Sequence, residues 1–211
     1  MSLKATNSGG FEAYELPPAG MMHARCVVVY DLGTHLDKNF PKDDKGRDNF
    51  RHLVQVQWEL DHTMIFDGEK VPMMATKRYR LSSNEKATLR KDLESWYGKK
   101  FDDKELEKAG GFDMEKILGR PALLNIQHSP DGKYANVIGV NPVMKGVEVP
   151  PQHYPSRFFE LGKPDADVWA QMSRNTRAFI SDCEEVKKGQ VTLPTVAEKP
   201  KTEAASSESP F

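Results

Sequence analysis

Three cations and one aromatic crowd a single short stretch of this chain, Lys77-Arg78-Tyr79-Arg80 within VPMMATKRYRL (71–81). Such a cluster suits one kind of chemistry. The cations can neutralise phosphates, and the ring offers its π-face to a nucleobase, a contact worth about 1–3 kcal/mol per base whatever the base. The other reading is structural: a solvated strand whose tyrosine is core and whose charges keep the surface wet. Period-two alternation sorts the four residues. It puts Ala75, Lys77, Tyr79 and Leu81 on one face and Thr76, Arg78 and Arg80 on the other. Leu81 turns its own face inward. Arg78 and Arg80 are therefore the outward pair, and Lys77 and Tyr79 join them only if a bulge re-aims the strand.

The same chemistry collects further candidates. Alternation over Arg51–Asp61 sends Val54, Val56, Trp58 and Leu60 to a core and Gln55, Gln57 and Glu59 away from it. Gln55 and Gln57 thus join the candidate face, while Trp58 reads as core. Arg25 adds a cation on the preceding apolar run. His128, Lys133 and Tyr134 flank a turn, with Tyr134 a second stacking candidate. Phe40 sits in a polar loop, either as a stacking platform or as a lid over the core.

Charge supports a local patch on an otherwise neutral body. Formal net charge is −1, which excludes a globally basic nucleic-acid binder. Between Lys70 and Lys100, however, nine bases face three acids. Catalytic motifs are absent: no GxSxG, no GxxxxGK[ST] and no HExxH. A binding protein rather than an enzyme follows, with no cofactor; a nuclease is the enzyme class that would share such a basic face. The six histidines show no metal spacing. In the Asp43-Asp44-Lys45-Gly46 loop, Lys45 and Arg47 interrupt the oxygen-ligand repeat that Ca²⁺ needs, so no metal is expected. Cys26 in an apolar run reads as a buried thiol and Cys183 as a half-exposed one, with no disulfide framework.

The elements that must position these residues read as follows. Residues 1–20 form a polar N-terminal arm with Gly9-Gly10 and Pro17-Pro18. Strands are predicted over Met21–Leu32, Arg51–Asp61 and Val71–Leu81. A helix follows from a Ser83 N-cap to Gly98, carrying the apolar stripe Leu89, Leu93 and Trp96. Asp102-Asp103 begins a short helix, and Phe112–Leu118 makes another turn. PALLNIQH and KYANVIGV then form a hairpin about Ser129-Pro130-Asp131-Gly132. The order strand–strand–strand–helices–strand–strand is that of an OB-fold, a mainly β, five-stranded antiparallel barrel with a helical insert between strands three and four. That domain covers 21–146. Residues 147–188 are an extension with one helix over Asp165–Val186, and 189–211 are disordered by composition. No apolar run approaches the roughly 20 residues that span a bilayer, and the N-terminus has no apolar signal region, so a cytoplasmic protein is expected.

Three blocks carry a resemblance: FEAYELPPAGMMHARCVVVYDLGT, KRYRLSSNEKATLRKDLESWYGKKF and GFDMEKILGRPALLNIQHSPDGKYANVIGV. Together, over about residues 11–146, they resemble a bacteriophage family of single-stranded DNA-binding proteins built on an OB-fold, with RKDLESW the most specific part. The resemblance implies sequence-independent binding of single-stranded DNA during phage replication or recombination, in the host cytoplasm. The chain also ends in Ser209-Pro210-Phe211, and the tails of bacterial single-stranded DNA-binding proteins are similar in docking replication partners through a terminal Pro-Phe. Those tails are strongly acidic, whereas here only Glu203 and Glu208 lie in the last ten residues. Pro210 and Phe211 are thus candidates for docking replication or recombination proteins, beside the reading as an ordinary frayed terminus. Self-association into a homo-oligomer is open. The rival from a different class is a phage structural or adaptor protein that uses the barrel and C-terminal helix for protein contacts.

Overall fold

The computed structural model describes residues 15–195. The fold is mainly β. Strands β1 (Gly20–Leu36), β2 (Phe50–Phe66), β3 (Glu69–Arg80), β4 (Pro121–His128) and β5 (Ala135–Asn141) join in the order β3-β2-β1-β4-β5, each pair antiparallel. A short β6 (Arg157–Phe159), unforeseen in the sequence, pairs in parallel with Val28–Tyr30 of β1. The result is an open sheet of six strands, whereas the element order suggests a closed five-stranded barrel.

Turn chemistry accounts for the hairpins. Asp67 and Gly68 both adopt positive φ, 52° and 80°, as the two-residue turn between right-twisted strands requires. The second hairpin closes with Gly132 N–H donating to the Ser129 carbonyl at 2.8 Å. β1 runs well beyond Gly33, the residue that reads as its end. Register shifts at Cys26/Val28 and Asp31/Gly33 mark bulges that bend it. Gly33 sits at φ +75°, where a Cβ would meet the Cys183 side chain at 2.7 Å. Glycine is there for that close approach, and Cys183 is consequently fully buried rather than half-exposed.

Two apolar layers flank the sheet. The inner one holds Val54, Val56 and Trp58 against Leu89, Leu93 and Trp96 of α1 (Thr88–Tyr97), which lies against both β3 and β5. The outer one packs Tyr30 and Leu32 of β1 against Phe159, Trp169, Ile180 and Cys183. The C-terminal extension is therefore integral to the fold. It contains three short helices instead of one: α3 (Ala166–Gln171), α4 (Arg174–Ser181) and α5 (Glu184–Lys187), after the earlier α2 (Asp103–Lys108). The breaks have a local cause. Met172 and Ser173 are extended, and the Ser173 hydroxyl caps α4 by accepting from Thr176 N–H.

Capping also corrects the start of α1. It begins at Thr88, not near Ser83, because the Asn84 side chain accepts from Lys86 N–H and holds a turn there. Asp102 caps α2 through Lys104 and Glu105 N–H, and a 3₁₀ turn covers Met114–Ile117. Among the described residues no helix is long and apolar enough to cross a membrane.

Candidate nucleic-acid interface

Lys77-Arg78-Tyr79-Arg80 is split by the sheet. Tyr79 is 5% exposed, and its hydroxyl donates to Asp92 Oδ2 on α1 at 2.8 Å. Lys77 Nζ reaches the same oxygen at 2.7 Å and lies 5.1 Å from the Tyr79 ring. Burial first, and the Asp92 carboxylate second, push the Tyr79 phenol far above its usual range. No bulge interrupts β3 here: Tyr79 pairs with Val54 and Lys77 with Val56 in continuous register. Both side chains therefore belong to the interior, and neither is placed to meet a base.

Arg78 and Arg80 project from the opposite face, into a groove of about 780 Å³. One wall comes from the sheet, with Arg51 and Leu53 of β2 and Arg78 and Arg80 of β3. The other comes from the C-terminal helices, with Asn175, Ala178 and Phe179 of α4, then Asp182, Glu184 and Lys187. His35 to Lys38 form one end. Arg78 Nε donates to Gln55 Oε1 at 2.9 Å, and its guanidinium lies 4.4 Å from the Phe179 centroid. Its pKa is lowered by burial, yet a guanidinium stays charged. Five cations line the groove against three carboxylates. Arg51 is engaged by Asp37 at 3.4 Å, Lys187 by Asp182 at 2.9 Å, and Glu184 by Lys188 at 3.2 Å. Arg78 and Arg80 have no carboxylate within ion-pair distance among the described residues.

The remaining candidates scatter. Gln55 is 3% exposed and serves as the acceptor for Arg78. Gln57 donates to Thr76 Oγ1 at 3.3 Å on the same outer face. Arg25 is occupied structurally, donating to the carbonyls of Gly119 at 2.8 Å and Pro150 at 3.0 Å. His128 Nε2 bonds the Pro17 carbonyl at 2.7 Å and ties down the chain entering β1. Lys133 and Tyr134 are exposed on the β4–β5 hairpin, Lys133 facing Asp131 at 3.6 Å. That hairpin lies at the Gly20 end of β1, whereas Phe40 follows the Leu36 end, so the two aromatics cannot share one short site. Phe40 is 69% exposed. Pro210 and Phe211 lie outside the described residues.

The basic window dissolves for the same reason. Lys77 goes to Asp92, while Arg90 is buried against Glu94 and Asp103, and Glu94 also takes Lys100. Glu94 is held at about 2 by its bonds from Lys100 and then Arg90. The Asp43 loop is likewise self-contained: Asp43 accepts from the N–H groups of Lys45 and Arg47 and pairs with the Arg47 guanidinium.

Sequence reasoning misses His35, Arg51, Asn175 and Phe179. Helical spacing marks Phe179 as apolar, but nothing local says which surface it meets. It also misses a polar clasp behind the groove. His52 Nε2 lies 2.7 Å from Asp31 Oδ1, and its Nδ1 lies 3.2 Å from Thr34 Oγ1 and 3.6 Å from Glu185 Oε1. Thr34 gives its hydroxyl proton to Glu185 Oε1 at 2.6 Å and its N–H to Oε2 at 2.9 Å. Burial pushes the Glu185 carboxyl up, but these Thr34 bonds override it and hold the group at about 2. The hydrogen bond that His52 donates to Asp31 raises the His52 pKa, with the Asp31 and Glu185 charges adding to it. Neither a protein-family model nor a curated protein matches this chain.

Proposed function

We propose that this protein binds single-stranded DNA without sequence preference, in phage genome replication or recombination, through the groove between the β2–β3 face and α4. The fold reading that goes with it is an OB-type barrel. Its support is the strand order, the helical insert between β3 and β4, and the approach of the two end strands β3 and β5, whose Cα atoms come within 8 Å. The resemblance of the 11–146 region to phage single-stranded DNA-binding proteins points the same way.

One observation carries the proposal. Arg78 and Arg80 stand on one strand face in an open groove, and among the described residues no carboxylate lies within ion-pair distance of either. Polyanion binding releases counterions, so affinity must fall steeply with salt. Phe40, exposed beyond one end, adds a ring that a base can cover.

Fluorescence titration with oligo(dT) and with a duplex of equal length, at low and high salt, tests this. Expected are tighter binding of the single strand and, for Arg78→Ala/Arg80→Ala, a salt slope shallower by about 0.7 per lost phosphate contact. Absence of oligo(dT) binding at micromolar protein and low salt sinks the proposal.

A protein-contact role has one observation of its own. Ile65 and Phe66, 68% and 65% exposed, sit at the tip of the β2–β3 hairpin. If that role is the main one, Ile65→Ser/Phe66→Ser abolishes a partner contact while oligo(dT) binding is absent from the wild type.

A further inference from the structure

We infer that the groove holds its strand in one orientation, with phosphates along the sheet wall and bases along the α4 wall, and that the helix wall is what rejects duplex DNA. This rests on the single-stranded DNA reading above. The two walls differ in charge pairing: the sheet side carries unpaired cations and the helix side carries paired carboxylates. Arg51, Arg78 and Arg80 line the sheet side, where Arg51 engages Asp37 and, among the described residues, Arg78 and Arg80 pair with no carboxylate. The helix side presents Asp182 and Glu184, each paired with a lysine, Lys187 at 2.9 Å and Lys188 at 3.2 Å. A phosphate on the sheet side meets two unneutralised guanidiniums. A phosphate on the helix side meets the Asp182 carboxylate, whose side chain is 73% exposed.

The helix wall also has the groups to receive bases. Phe179 itself is occupied: the His35 ring stacks on it at 4.1 Å and the Arg78 guanidinium lies at 4.4 Å. Two planar groups that close cannot share one face of a phenyl ring, so neither face is open to a base. What remains is the exposed surface of Ala178 and the side-chain amide of Asn175, which forms no side-chain hydrogen bond among the described residues. An amide carries both donors and an acceptor, and can therefore bond the Watson–Crick edge of any base. Those edges are free in a single strand and paired in a duplex. A duplex offers phosphate backbones on its outside, and in this groove one of them would run against Asp182 and Glu184.

Asn175→Ala, Asp182→Asn and Arg80→Ala, made one at a time in the full chain, test the orientation, with oligo(dT) and a duplex titrated over a range of salt. All three positions are exposed, and unchanged thermal unfolding will verify that each variant is folded. Asn175→Ala should weaken oligo(dT) binding by about 3–10-fold at every salt concentration, with its slope unchanged, as expected for one lost hydrogen bond. Arg80→Ala should make the slope shallower by about 0.7. Asp182→Asn should strengthen duplex binding severalfold more than oligo(dT) binding, because only the duplex puts phosphate against that wall. If Asp182→Asn instead tightens oligo(dT) as much as the duplex and steepens its slope, phosphates run along α4 and the orientation is wrong. An Asn175→Ala variant with wild-type affinity overturns the base contact. A wild-type protein that binds no oligo(dT) at low salt defeats the underlying reading, a result distinct from both.

Discussion

Replacing His52 by glutamine should destabilise the protein by an amount that depends on pH, in a direction fixed by hydrogen-bond logic. Thr34 has one hydroxyl proton, and Glu185, 2.6 Å away, takes it. The Thr34 oxygen must therefore accept from His52 Nδ1, while Asp31, 2.7 Å from Nε2, accepts from the other nitrogen. Both ring nitrogens donate, so the geometry calls for the imidazolium, in agreement with the raised pKa. A charge-assisted hydrogen bond contributes about 1.5–3 kcal/mol. The His52 side chain is 34% exposed, so solvent screening reduces the clasp to about 1–2 kcal/mol in total.

The sign follows from linkage. A folded-state pKa above the unfolded value of about 6.5 gives stability that is complete below pH 6.5 and lost as pH rises through the folded pKa. Thermal unfolding of wild type and His52→Gln, from about pH 5.5 to about pH 9, should therefore show a gap that narrows with pH. At the acid end it should be about 2–8 °C, given that 1 kcal/mol moves the midpoint of a chain this long by about 2–4 °C. A gap that stays constant or widens with pH refutes the imidazolium assignment.

Two further outcomes follow from the packing. Asp92→Ala strips the acceptor from the buried Tyr79 hydroxyl and the partner from Lys77; unfolding in urea should show a loss of about 2–4 kcal/mol with the salt slope for oligo(dT) unchanged, since neither residue faces the groove. Gly33→Ala should cost about 2–4 kcal/mol, because its Cβ meets Cys183 at 2.7 Å on a left-handed backbone, whereas Gly46→Ala, at φ +74° with open space, should cost only about 1–2 kcal/mol; equal midpoints for the two variants would contradict the close-approach account.

Much of the fold is written locally. Period-two alternation alone puts Val54, Val56 and Trp58 in the core and separates Lys77 and Tyr79 from Arg78 and Arg80, because side chains of a strand alternate whatever they pack against. The Asp67-Gly68 and Pro130-Asp131-Gly132 turns and the Asp102 cap are equally local, since each depends on one residue's own dihedrals or side-chain reach. Which surface covers which is not local. The charge excess around β3 looks like one patch in the sequence, yet packing sends Lys77 to Asp92 and Arg90 to Glu94 and leaves Arg78 and Arg80 in the groove. The groove exists only because α4 lays Phe179 on Arg78 from far along the chain. The second edge of β1 is shared in turn by β4, by β6 and, at Thr34, by the carboxylate of Glu185. By itself, then, the sequence determined strand faces, turns and which cations point outward. Only the tertiary structure decided what stands opposite them, because a site with two walls needs contacts between segments whose own patterns carry no address for each other.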